Sequence, residues 1–394
     1  MKQHCYLYFL FALIFLSASF LGCNKISKID ASSTLHAESD KNWITLGRNH
    51  QRQHFTLTNV NPPLDIAWKT RIKSVIADHP LAVDNVIFAP TISGMMYLVD
   101  SETGDKISDG KIGPAINHVP SIHDQHLFAG AILGNKTLIK LNLTNSKKEA
   151  TRDFPYVNTS PLIAEEKIFF GTQAPLFICA NEHSGDKIWE YKTRAPIYSS
   201  PAIKSPHVIF ADEKGWLYAL DASSGLKLWE VALNSSVYAH PVLDDSLVYI
   251  GSTNGKMHAV RIETGEIVWE RQFSGAIYSG AALYKNSIYF GHNAHEIVAL
   301  EKETGNILWK FKTGGIVNTV PLPSPDYVYA TSWDKNLYIL NRFSGEEVFR
   351  FPLRRPSKSS PIIHNDYLIV HTANDMLLAL GNKKYLENDS EEKK

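Results

Sequence analysis

The sequence predicts an all-β chain folded as one eight-bladed β-propeller of four-stranded antiparallel blades, and three periodic markers carry that prediction. A turn glycine recurs every forty or forty-one residues, at Gly104, Gly185, Gly225, Gly265, Gly305 and Gly345, with Asn145-Ser146 filling the gap between the first two. A proline ahead of an apolar strand keeps the same period, at Pro80, Pro120, Pro161, Pro201, Pro241, Pro321 and Pro361, with Ala281 in the remaining place. A tryptophan four residues after the glycine falls at Trp189, Trp229, Trp269 and Trp309, with Phe349 as a substitute. The proline places count eight copies.

In chain order, the first element is not part of that fold. Lys2 precedes the apolar run YLYFLFALIFLSASFLG, and no charge falls between Lys2 and Lys25, so residues 1–22 read as a secretory signal. Residues 23–41, polar and short of large apolar side chains, read as a flexible tether. The propeller spans residues 42–384, and the charged residues 385–394 form a disordered tail. Of the three cysteines, Cys5 and Cys23 lie in the leader region, so Cys179 has no partner in the body and reads as a small core residue. Lys+Arg and Asp+Glu number 40 each, which argues against a nucleic-acid or anionic-surface binder.

Within one copy, AIKS, VIFAD, WLYALD and LKLWEVAL are short β-branched and aromatic runs separated by turn residues, the pattern of antiparallel hairpins. No segment carries an apolar stripe of helical period and length. In the turn, Asp221 and Ser223-Ser224 can cap backbone N–H groups while Gly225 takes a positive φ, and Trp229 offers a large apolar face to the adjoining sheet. The last copy ends at Leu380, one strand short. LDIAWKT, upstream of the first proline, supplies the missing strand, with Ile66 and Trp68 aligned to Leu228 and Trp229. It is expected to complete the eighth blade, close the ring and remove its free edges.

The unit from Ala219 to Trp229, A-x-D-x-x-S-G-x-x-x-W, resembles the tryptophan-docking repeat of pyrroloquinoline-quinone (PQQ)-like propellers, and Phe20-Leu21-Gly22-Cys23 resembles a bacterial lipobox. With the chain length and blade number, the whole from Trp43 to Leu380 is similar to the BamB-like outer-membrane assembly lipoproteins. The resemblance implies lipidation at Cys23 with chains such as palmitate, no enzymatic activity, no cofactor, and outer-membrane β-barrel assembly proteins as partners. It also implies a monomer within a hetero-complex on the periplasmic side of the outer membrane, because Asn24 stands where inner-membrane members carry Asp. An uncleaved anchor or ordinary signal peptide is the alternative for the leader. Two other functions fit the same repeat: an envelope quinoprotein or small-ligand-binding propeller, and a sensor or adhesion module. Quinone dehydrogenases of this fold carry adjacent cysteines and Glu, Asn and Asp calcium ligands, a set that this sequence does not display.

Candidate site residues follow from the period. Three residues before the proline place lie Tyr198, Tyr238 and Tyr278, flanked by Asn158 and Asn318. These segments link one blade's outer strand to the next blade's inner strand, so they form an arc around one mouth of the channel, where tyrosines suit a partner surface. Packing between blades is the alternative. Asp78, His79, His118 and His240 fall near the same mouth and give it polar character. The run HVPSIHDQH, His118 to His126, does not have zinc-ligand spacing, and no metal is expected. Trp68, Trp189, Trp229, Trp269, Trp309, Gly185, Gly225, Gly265 and Gly305 are assigned to docking blade against blade.

Overall fold

Ala202–Lys204, His207–Ala211, Trp216–Asp221 and Lys227–Ala232 form one antiparallel sheet in that order. Its three inner strands are buried on both faces and its outer strand is half exposed, so the sheet needs a neighbour on each side. The computed structural model, which describes residues 42–373, 375–384 and 386, supplies them: eight four-stranded sheets in a ring. The leader, the whole tether and all of the tail except residue 386 lie outside the described residues. Successive blades cover residues 81–111, 121–152, 162–192, 202–232, 242–272, 282–312 and 322–352; the eighth joins residues 362–382 to Leu64–Arg71.

That N-terminal strand pairs antiparallel with Met376–Asn382, Trp68 facing Ala379 as Trp229 faces Ala219, so the ring closes as the sequence predicts. The alignment of Ile66 with Leu228 is off by one. Ile66 faces Leu380 as Lys227 faces Leu220, and Ala67 takes the place of Leu228. The cause is a bulge just before the aromatic residue, which leaves one residue unpaired and re-aims the next. The bulge recurs in all eight blades.

The docking contact joins each tryptophan to the following blade. The indole N–H of Trp229 donates to the Ile262 carbonyl at 2.6 Å, and Trp68, Trp189, Trp269 and Trp309 donate equivalently to Ser101, Ala222, Lys302 and Arg342. Each ring then lies on the next turn glycine: a Cβ on Gly225 would stand 2.6 Å from Trp189, and one on Gly265 2.8 Å from Trp229. Gly305 and Gly345 receive Trp269 and Trp309 in the same way. Glycine is thus required twice, for φ near +72° at Gly225 and for ring clearance. Gly185 departs from this scheme. Ala150 stands at the tryptophan place of blade 2, and the Arg152 stem covers Gly185 instead.

Residues 42–60, to which the sequence analysis gave no structure, form a strap inside the ring. The Trp43 and Ala82 amides exchange hydrogen bonds, the Ile122, Ile203, Leu243 and Leu283 amides donate to the carbonyls of Ile44, His50, Gln51 and Gln53, and Thr56 N–H donates to Pro323. The Trp43 indole donates to the Ile363 carbonyl at 2.8 Å. Every ring residue in this set stands two positions after its blade's proline place, so the strap satisfies the channel-facing edges of seven of the eight inner strands.

Candidate functional site: a funnel floored by the strap

One end of the channel is a funnel of about 190 Å³, lined by Ala77, Asn117, Tyr198, Tyr238, Tyr278, Asn318 and Lys358. These are the residues three before the proline place in seven of the eight blades, so the same repeat that builds the walls also chooses the lining. The eighth, Asn158, is buried at 6% exposure and is absent from the lining. The tyrosines do not pack away between blades. Their rings contact one another around the wall, Tyr198 to Tyr238 at 5.6 Å between centroids and Tyr238 to Tyr278 at 5.9 Å. Tyr238 donates its hydroxyl to Glu213 at 2.8 Å, and that bond, with burial, pushes its pKa up to about 12. Tyr278 stays 41% exposed.

The polar residues separate by depth. Asp78, His118 and His240 line the funnel, Asp78 accepting the Ser360 N–H at 3.3 Å. His79 does not: it is 1% exposed, accepts the Gly47 N–H at Nε2 and donates from Nδ1 to the Pro80 carbonyl. It belongs to the sealed floor, where Trp43, His54 and His79 pack ring on ring at 5.0 to 5.5 Å. Burial holds these imidazoles neutral, His79 below its usual value and His54 far below it. His118 is driven to about 4 by burial, and His240 to about 3 by burial and then by the nearby Arg52 charge.

Arg52 is the floor residue that sequence reasoning missed. It is fully buried, with Nε donating to the Pro201 carbonyl and Nη1 to Thr45 Oγ1 and the Leu46 carbonyl. Leu46 is the strap residue that lines the funnel. The only sequence signal was compositional: four basic or His residues, Arg48, His50, Arg52 and His54, fall at alternate positions in a stretch without repeat periodicity.

The histidine run divides three ways. His118 lines the funnel, His126 bonds Glu149, and His123 meets Glu182 of the next blade at 2.6 Å. His123, Asp124 and Glu182 bring ligand-capable atoms within 4.8 Å of one another. The His123–Glu182 bond accounts for this grouping without an ion, since it raises the imidazole pKa and holds the buried carboxyl low against its burial.

The ring and its funnel define a PQQ-like eight-bladed propeller. The model of the family described as outer membrane protein assembly factor BamB matches residues 152–282 and 293–384, and the chain belongs to that family. No curated protein matches the chain. Among solved structures, BamB from Moraxella catarrhalis is 18% identical, with a TM-score of 0.68 over 81% of this chain and 99% of that one. The quinohemoprotein alcohol dehydrogenase ADHIIG of Pseudomonas putida HK5 is 12% identical, with a TM-score of 0.75 over 90% and 82%. The corresponding enzyme of Comamonas testosteroni is 10% identical, with a TM-score of 0.76 over 87% and 81%. At these identities the likeness shows the fold.

The funnel does not fit a quinone cofactor. Its volume of about 190 Å³ falls below the roughly 300–1,000 Å³ of ordinary small-molecule sites. Among the described residues, Asp78 is the one carboxylate in the lining, which leaves no calcium cage, and Cys179 lies in the core of blade 3.

Proposed function

We propose that the chain is a non-catalytic, lipid-anchored scaffold of the bacterial envelope that assists assembly of outer-membrane β-barrel proteins. Residues 1–22 are its signal peptide, Cys23 its lipidated first residue, residues 23–41 its tether and residues 385–394 its free tail. The anchor holds the propeller on the periplasmic face of the outer membrane. The partner, a protein of the barrel-assembly machinery, docks on the tyrosine mouth.

Membership of the assembly-factor family supports the role, and one structural observation carries the docking site. Tyr198, Tyr238 and Tyr278 form a continuous arc of rings on three successive blades, with Tyr278 well exposed. Rigid amphipathic rings of this kind contribute contact area at little cost in side-chain entropy. Asn318 and Lys358 extend the rim. The test is affinity purification of the tagged protein from mildly solubilised membranes, beside a Tyr198/Tyr238/Tyr278 triple alanine variant and Cys23→Ser. A barrel-assembly protein is expected with the wild type and lost with the triple variant, whose fold circular dichroism should find intact; Cys23→Ser should leave the membrane fraction. Recovery of no envelope partner by the wild type would overturn the scaffold reading.

A further inference from the structure

Charge is balanced over the whole chain but not over the mouth-side surface of blades 7 and 8. Lys335, Arg354, Arg355, Lys358, Arg71 and Lys73 are exposed there, and among the described residues none of the six forms an ion pair. Elsewhere on the ring exposed cations find carboxylates, Arg194 meeting Glu230 and Lys106 meeting Asp109, each at 2.7 Å. The segments that carry the six are laced side by side. Leu353 N–H donates to the Lys335 carbonyl, Ala373 N–H to that of Pro356 and Ile72 N–H to that of Asp375, each at 2.8 Å. Their two carboxylates do not balance the cations. Asp334 already accepts the Gly314 N–H and the Tyr338 hydroxyl, at 2.7 and 2.6 Å, and Asp375 shares one open groove with both Arg71 and Lys73. Asp78 lies in the funnel, not on this surface.

An aromatic side chain stands among these cations. Trp333, in the turn between Tyr327–Thr331 and Asn336–Asn341, is 38% exposed, and Lys358 Nζ lies 5.0 Å from its ring centroid. Exposed Trp beside Arg is the composition of an interface hot spot. Lys358 also lines the funnel, so this surface continues from the tyrosine mouth. The chain enters the ring from the opposite face. Asn42 accepts the Asp84 N–H at 3.4 Å, in the turn at the far end of the first inner strand, Leu81–Val83. The cluster therefore looks away from the point where the tether joins, which favours a protein over a lipid surface as its partner.

We infer that this surface docks an acidic protein segment, whose Asp and Glu side chains pair with Arg354, Arg355, Arg71 and Lys73 while an apolar side chain covers Trp333. Unpaired exposed charges of one sign steer a complementary partner and fix its register. The inference deepens the scaffold reading, on which the identity of the partner rests, by adding the chemistry of the face that the partner presents.

The experiment is calorimetric titration of the purified full chain with an acetylated Gly-Glu-Leu-Asp repeat peptide and with its Gly-Gln-Leu-Asn counterpart. Flotation with vesicles of phosphatidylglycerol and phosphatidylethanolamine runs beside it. The acidic peptide is expected to bind, less tightly as salt rises, and the amide peptide not to bind. Arg354→Glu/Arg355→Glu is expected to weaken binding about tenfold and Trp333→Ala severalfold, with melting temperatures unchanged because all three side chains are exposed. Lys187→Glu/Lys227→Glu, the same change in net charge on the outer strands, should leave binding unaltered. In affinity purification from membranes, the Arg354→Glu/Arg355→Glu variant should lose the partner that the wild type retains. A wild type that recovers no envelope partner defeats the scaffold reading, whereas the peptide titration decides the surface by itself. Equal affinity for both peptides, affinity unchanged by Arg354→Glu/Arg355→Glu, or vesicle binding without peptide binding would overturn the proposal.

Discussion

Trp229 shows how one side chain holds two blades. Its ring covers Gly265, its indole N–H reaches Ile262, and only 8% of it is exposed. Trp229→Ala is therefore expected to cost about 3–5 kcal/mol in denaturant unfolding. The half-buried Trp189, with a longer 3.3 Å bond, should cost less. Gly225→Ala meets both a positive φ and the Trp189 ring, and should destabilise by more than a helix-interior Gly-to-Ala change alters stability. Histidines set the acid limit. Burial lowers His240 to about 3 and His371 to about 4, whereas the unfolded chain titrates near 6.5. The unfolded state then binds more protons in that window, so this stability is complete above about pH 6.5 and is lost as pH falls toward 4. Thermal melts should show a midpoint falling between pH 7 and 4.5, with a shallower slope in His371→Gln. A midpoint independent of pH there would contradict the assignment.

At the scale of the element, the blade is legible because its strands alternate with turns that name themselves. Asp221 accepts from the N–H and hydroxyl groups of Ser223 and Ser224, which holds its pKa at about 2. The strap has no such signature. Arg48, Arg52 and His54 adopt positive φ with no glycine to mark them, because contacts with seven blades impose the path. Removing residues 1–62 should lower the melting temperature and speed hydrogen exchange at the Ala82, Ile122, Ile203, Leu243 and Leu283 amides. The amides of the outer strands should be little changed, a contrast that amide exchange read by mass spectrometry can test.

For the whole molecule, closure is what matters. The pairing of Leu64–Arg71 with Met376–Asn382 leaves no open blade edge at the join of the ring. Deleting residues 1–71 bares the edge of Met376–Asn382. The expected outcome is self-association, read by light scattering; a monomer melting like the wild type would show that closure contributes little. The funnel also belongs to this scale, since its lining comes from the links before all eight blades and its floor from the strap.

The sequence by itself determined the blade number, the strand pattern, the closing strand and the tryptophan–glycine docking code, because each is a local choice repeated at a fixed interval. It also put Tyr198, Tyr238 and Tyr278 at equivalent places. Only the tertiary structure decided that their rings touch around a mouth, that Asn158 and His79 are buried away from it, and that Arg52 lies under its floor. Those outcomes depend on where a non-repeating segment runs inside the closed ring, and contacts between residues more than a hundred positions apart, such as Arg52 with Pro201, leave no period to read.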